Sequence, residues 1–442
     1  MMKTSVIFTG LLMGMFLCSC QSNQDEQFDT QDPLSANMVK RSYAEALSIA
    51  VDAQKLLNVS SSRSRAVKPR LLDLVSGVKY VTQSRSRSES GLDTLIYVFN
   101  YTNNQGFVLV SASKATDGLL AVTEQGHYDP TTGTDNKGLS ICMDLAQKYV
   151  LSSTNAYMSR IRDSLIFVDT TDTPLIKHRN CRDTLNMIRY IPRINLKWGQ
   201  TSPEGYLCPN GCSGCGPTAM AMALAYYSYP STLSLTYPNA SVPSISLDWP
   251  AIKNHRSTVS GNTDNCTFNT HNQISMLCRQ LGHLANSDYS SSDGTGTSPN
   301  KIITTLQQLG YSPTAYTDYS SGCLVNNLCN NQIILMCGYD IHKEEGSALG
   351  HMWIVDGGYS YKLHCYEQDY KNGLWVTTYD GGISSHCYNH INWGWYGDSN
   401  GYYSDGIFYN QNYYKLDDNV SVAAVGYNYT YALRYFTISQ PQ

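Results

Sequence analysis

The feature that most constrains this chain is the run Gly211-Cys212-Ser213-Gly214-Cys215-Gly216-Pro217-Thr218-Ala219, which passes at once into an Ala-, Met- and Leu-rich stretch ending at Tyr227. The stretch reads as a helix over Pro217–Tyr227, with Pro217 in the first turn, where proline is accepted. A cysteine at its N-terminus meets backbone N–H groups and the positive end of the helix dipole. Both favour the thiolate, the nucleophilic form. The competing reading is a structural cysteine capping a core helix.

A second element is Gly350-His351-Met352-Trp353-Ile354-Val355-Asp356-Gly357. His351 opens an apolar run that predicts a central strand. A neutral imidazole at a strand end can take a thiol proton and later return it to a leaving amine. A core histidine is the plainer alternative, but the spacing weighs against it. The 136 positions from 215 to 351 fall within the roughly 130–150 that separate Cys and His in papain-like order.

Two further segments complete a candidate set. In His390-Ile391-Asn392-Trp393-Gly394-Trp395, Asn392 can hold an imidazole in its productive tautomer. Trp393 can shield that bond or wall a substrate cleft. In Lys197-Trp198-Gly199-Gln200, the Gln200 amide beside the Cys215 N–H makes an oxyanion hole. Cys208, Cys212 and Cys215 could instead bind zinc, but no second ligand pair is evident. Cys212 as nucleophile lacks an immediately following helix, and a Cys208–Cys212 disulfide is an option.

The chain has 442 residues, 42% apolar and 15% charged, with a net charge of -4. Its length suggests more than one domain. Its charge gives no reason to expect nucleic acid or an anionic membrane surface as partner. Its 34 tyrosines point to a β-rich, secreted type of surface. Residues 1–20 read as a signal: Lys3, an apolar Val6–Leu17, then Leu17-Cys18-Ser19-Cys20, which resembles a bacterial lipobox with Cys20 as the lipidated residue. Ordinary signal cleavage is the alternative. Residues 21–33 form a polar tether. Setting aside Cys18, Cys20 and one nucleophile, an odd number of the 14 cysteines remains, so at least one further thiol stays free or pairs elsewhere.

A first module is expected over 34–169. It holds a helix over Leu34–Asn58, a hairpin of Thr94–Tyr101 with Phe107–Ala112, and a helix over Ile141–Ile161. The Ser/Arg runs at 60–65 and 84–90 read as loops. Residues 170–185 are expected as a linker, and 186–442 as the second module. That module should have helices near Asn272–Leu281 and Pro299–Leu309. Strands are expected at Gln332–Cys337, His351–Asp356, Leu374–Tyr379, Tyr388–Trp395 and Gly406–Tyr409. Helices first and strands later suggest α+β.

Taken together, Trp198-Gly199-Gln200, Cys208-Pro209, Gly214-Cys215 before Thr218-Ala219-Met220-Ala221, Tyr229-Pro230, Gly350-His351 with Asp356-Gly357, and His390-x-Asn392-Trp393-Gly394-Trp395 resemble the streptopain family of bacterial cysteine peptidases. The resemblance covers most of Pro192–Tyr409. Tyr97–Asn100 and Gly106–Ser111 are similar to that family's propeptide. The resemblance implies a papain-like peptidase domain behind a smaller α+β prodomain that masks the active site until cleaved. It implies Cys215 as nucleophile, His351 as base, Gln200 at the oxyanion, Asn392 and Trp393 supporting the histidine, and Trp393 and Gly350 at the substrate. No cofactor is needed. Protein substrates and the chain's own propeptide are the expected partners, and a lipid anchor the only membrane contact. The chain departs from the family pattern at Gly216-Pro217 and Met222. The segment Ser360–Cys387 is longer than expected, an extra hairpin that could rim the cleft. A surface binding lipoprotein without turnover and a thioester-based transpeptidase or amidase are the alternative functions.

Overall fold

The computed structural model describes residues 39–58, 72, 79–82, 92–164, 178–255, 267–291, 294–319, 324–340, 350–371, 374–408 and 431–441. The expected signal, the tether and both Ser/Arg runs lie outside them.

The first module begins with helix α1 (Tyr43–Asn58). Its start is set by a reciprocal capping box. Ser42 N donates to Glu45 Oε2 at 2.7 Å, and Glu45 N donates to Ser42 Oγ at 3.3 Å. The helix therefore begins at Tyr43; the expected start at Leu34 lies outside the described residues. Ala46, Ala50, Ala53 and Leu57 are its buried stripe. Four antiparallel strands follow in a meander: β1 (Lys79–Thr82), β2 (Thr94–Asn100), β3 (Phe107–Ser111) and β4 (Leu119–Thr123). The β2–β3 turn places Asn103 and Asn104 at φ 57° and 54°, a left-handed conformation that asparagine accepts better than most residues. Helix α2 (Lys137–Ser164) closes the module.

The second module opens with strand β5 (His178–Tyr190) and helix α3 (Cys215–Tyr227). A small hairpin of β6 (Thr232–Ser234) and β7 (Ser244–Ser246) follows, then helices α4 (Trp249–Asn254), α5 (Phe268–Leu284) and α6 (Pro299–Gln308). The remaining strands are β8 (Thr317–Asp318), β9 (Ile333–Asp340), β10 (His351–Lys371), β11 (Leu374–Asn392), β12 (Gly401–Ser404) and β13 (Tyr431–Ile438). Helix α3 is buried on nearly every side. Met220, Ala223 and Leu224 pack among Ile274, Leu277 and Ile302 of α5 and α6, and against Leu335 and Ile354 of the sheet. The architecture is α+β.

The two modules share one sheet, in the order β1-β2-β3-β4-β12-β11-β10-β9-β13-β8. The seam is the antiparallel pair β4–β12, with Val122 opposite Tyr402 and Ala121 opposite Tyr403. They also share a core: Ile96, Leu109, Ile141 and Leu145 of the first module pack with Trp353, Val355, Ile391, Trp393 and Phe408 of the second. Each such fully buried large side chain contributes on the order of 2 kcal/mol.

The structure departs from the expected elements at β5 and at residues 405–407, while Ser360–Cys387 is the hairpin expected. Residues 178–190, of which 178–185 were expected as linker, form β5, which pairs with β10 from Gly358↔Tyr190 to Asp369↔His178. The Ser360–Cys387 segment is a hairpin in which β10 and β11 run on together to Lys371↔Leu374. With β5 it forms a three-stranded arm. At 405–407 the chain makes a single 3-10 turn in place of the expected strand at Gly406–Tyr409, and the strand lies earlier, at β12.

Candidate active site

Cys215 is the first residue of α3. Gly214 before it sits at φ 87°, and a Cβ there would come 2.7 Å from Thr295 O. Only glycine suits that conformation and that approach. Backbone N–H groups of Met352, Gly216 and Cys215 itself act on the Cys215 sulfur and favour its thiolate, but burial outweighs them and raises the thiol pKa. This reverses the lowering expected from the helix terminus alone. The helix terminus favours the charged form, but desolvation of the half-buried Cys215 disfavours it more.

His351 starts β10 and is buried. Its Nε2 lies 2.8 Å from Trp393 O. A carbonyl only accepts, so Nε2 carries the proton and Nδ1 keeps a lone pair, the form a general base requires. Burial, with Lys137 nearby, lowers the His351 pKa to about 4 despite the Trp393 carbonyl. The ring is therefore neutral near pH 7. It lies nearly parallel to Trp353, with centroids 6.3 Å apart at 18°. Among the described residues no hydrogen bond joins His351 to Cys215; the sulfur instead meets the N–H of the neighbouring Met352.

Prodomain residues crowd this histidine. Asn136 Oδ1 caps α2 by accepting from Leu139 N at 3.1 Å. In the first turn of that helix, a Cβ on Gly138 would stand 2.6 Å from His351 Cδ2 and 2.3 Å from Trp393 Cε3.

The Gln200 backbone is tied to the nucleophile loop. Its carbonyl accepts from Ser213 N at 2.8 Å and from Ser213 Oγ at 3.1 Å. Its side-chain Oε1 lies 3.8 Å from Cys212 Sγ. Thr218 of α3 pairs with Ser213 Oγ at 2.8 Å and donates to Gly199 O at 3.2 Å.

Asn392 does not meet His351, contrary to expectation. Its Nδ2 donates to Leu196 O at 2.8 Å, and its Oδ1 accepts from Gly394 N at 3.1 Å. The partner of His351 is the backbone of the next residue, Trp393. The Trp393 side chain is fully buried, and its Nε1 donates to Ser399 O and to Tyr403 Oη, each at 3.1 Å. With the prodomain docked, it is a core residue tilted against His351, with centroids 6.4 Å apart at 39°, and not an open cleft wall. Gly350 abuts β9, and a Cβ there would come 3.2 Å from Gly338 O.

Cys208 and Cys212 are both free thiols. Burial pushes Cys208 up to about 11. Cys387 is disulfide-bonded. Among the described residues no cluster of three His, Cys, Asp or Glu side chains could hold a metal ion.

Sequence reasoning missed a buried pair, His390 and Asp356, with His390 Nδ1 at 2.7 Å from Asp356 Oδ1. Both lie inside motifs singled out above. A His and an Asp in two apolar, fully buried strand segments were the available signal, but only the β10–β11 register brings them together.

Residues 197–403 match the family model described as Peptidase C10 family, and residues 36–150 match that described as Spi protease inhibitor. Streptopain of Streptococcus pyogenes is 24% identical over 335 residues, which span 70% of this chain and 73% of that protein. Streptopain of the serotype M1 organism gives the same figures. Among solved structures, a fragment of Prevotella intermedia prointerpain A superposes with a TM-score of 0.47 at 19% identity, covering 82% of this chain and 98% of that one. With a match to the C10 peptidase model following a match to the Spi inhibitor model, the chain is similar to the streptopain family of cysteine peptidases along both modules.

Proposed function

We propose that the protein is an exported cysteine endopeptidase made as a zymogen, with Cys215 as nucleophile and His351 as base. The observation that carries this reading is the position of the Cys215 sulfur. It lies at the start of α3, within reach of three backbone N–H groups, one of them on the residue that follows His351.

The chemistry follows from the residue types. Neutral His351 takes the Cys215 proton at Nδ1, and the thiolate attacks a peptide carbonyl carbon. The C–O double bond becomes an oxyanion, held by the Cys215 N–H and the Gln200 amide. Collapse breaks the C–N bond, and His351 returns its proton to the leaving amine. Water, deprotonated by the same imidazole, then attacks the thioester and regenerates the thiol with a new carboxylate. In the precursor, packing of the prodomain's Gly138 against His351 and Trp393 holds this sequence off. Lipidation at Cys20 and export are supported by the Leu17-Cys18-Ser19-Cys20 motif. Cleavage between the modules would free the catalytic domain from that anchor, unless the cut prodomain stays bound.

The test is digestion of a peptide in water enriched in heavy oxygen. Hydrolysis puts one heavy oxygen into each new carboxyl terminus. Products joined through new amides, without the label, would support acyl transfer instead.

A further inference from the structure

Residues 191–199, which lead to Gln200, have no regular secondary structure, yet they must deliver a side-chain amide to one place beside the nucleophile. Lys197 Nζ donates to Gln125 Oε1 of the first module at 2.8 Å, and further anchors come from the second half of the molecule. Asp356 Oδ2 accepts from Ile194 N at 2.6 Å. Asn392 Nδ2 donates to Leu196 O at 2.8 Å. Tyr396 N donates to Trp198 O at 2.9 Å.

The first anchor rests on an unusual arrangement. Asp356 is fully buried and His390 is 3% exposed. A buried carboxylate needs a partner, and His390 Nδ1 supplies it at 2.7 Å. The other ring nitrogen, Nε2, lies 3.5 Å from Glu124 Oε1, which the prodomain contributes just after β4. Tyr402 of β12 packs edge-on against the ring at 5.1 Å. Burial alone would discharge His390, but Asp356 and Glu124 outweigh it and raise the pKa, keeping the ring protonated. Asp356 lies on β10, the strand that His351 begins. One carboxylate thus links the strand of the base, by covalent continuity, to the segment of the oxyanion residue, by a hydrogen bond.

We infer that Asp356 and His390 form a positioning couple that fixes the Gln200 segment relative to the His351 strand, and that the prodomain engages the same couple through Glu124. The inference rests on the reading of the protein as a Cys215 peptidase. Neither residue touches the reacting atoms. Without His390, the buried Asp356 would lose its charged partner, the bond to Ile194 would weaken, and Gln200 would lose one of its upstream constraints. Displacing a catalytic group by about 1 Å costs on the order of 100-fold in rate.

The test uses the processed enzyme and the variants Asp356→Asn, His390→Leu and His390→Asn. Four quantities are measured: kcat and KM on a peptide amide, the rate of Cys215 alkylation by iodoacetamide, and the melting temperature. Alkylation needs the thiolate but no oxyanion hole. Asp356→Asn and His390→Leu should lower kcat by about 10- to 100-fold while KM and alkylation stay within about twofold. His390→Asn, whose amide can donate where Nδ1 does, should recover most of the loss. The proposal is overturned if kcat stays near the wild-type value. It is equally overturned if kcat, alkylation and melting temperature fall together, or if the variants do not fold, because the couple is then structural only. Wild-type enzyme that alkylates at Cys215 but cleaves no amide overturns the peptidase reading, and this inference with it.

Discussion

Gly138 of the prodomain lies directly against His351: a side chain there would begin 2.6 Å from His351 Cδ2 and closer still to the Trp393 ring. The absence of a side chain at this position lets the first turn of α2 close over the candidate base. Overpacking a well-filled contact costs about 1–3 kcal/mol. Gly138→Leu should therefore loosen the prodomain by that amount. In the full precursor it should lower the melting temperature and speed both Cys215 alkylation and self-processing by roughly 5- to 100-fold. Unchanged alkylation would show that this contact does not hold the site closed.

Acid should act on the precursor through two opposed groups. His351 has its pKa lowered to about 4, so its contribution to stability is present above its ordinary value and is lost as pH falls through 4. Asp405, raised to about 6 by burial and by Asp117, with His386 pulling the other way, contributes the reverse. Its stabilisation is present below the ordinary carboxylate value and is lost as pH rises through 6. Asp405→Asn removes only the second. The variant should be more stable than wild type at pH 7, and the gap should shrink by roughly 2 kcal/mol by pH 4.5. Urea unfolding at the two pH values measures it, and a constant gap would contradict the assignment.

Gln200→Ala should lower kcat of the processed enzyme by about 100- to 1,000-fold, as loss of one oxyanion donor does, with alkylation of Cys215 little changed. A change in KM alone would remove Gln200 from the oxyanion role.

How much of this was legible depends on which interactions are local. Helix α3 was readable because Gly214, Pro217 and the apolar run lie within a few residues of each other. His351 was readable because it opens an apolar strand. The role of Asn392 was not, because its amide is taken by Leu196 O, almost 200 positions away in sequence. Strand β5 was missed for a different reason. His178–Tyr190 has a polar, linker-like composition, and its strand conformation is imposed by the edge that β10 offers. The start of α1 was set by Ser42 and Glu45, a capping pair present in the sequence but outweighed there by the apolar period around it.

The pairing of β5 with β10 carries its own prediction. Hydrogen exchange on processed enzyme that retains residues 178–190 should show those amides protected to a degree similar to β10, because eleven registered positions join the two strands. Rapid exchange there would mean that the arm holds only two strands in solution.

The central claim is that Cys215 is the nucleophile of a cysteine peptidase. The chain without residues 1–20, beside its Cys215→Ala variant, is followed over time by size and by casein cleavage. The account predicts that the wild type shortens by about the mass of the prodomain and degrades casein, while the variant does neither. A variant that shortens and degrades casein at the wild-type rate would contradict it.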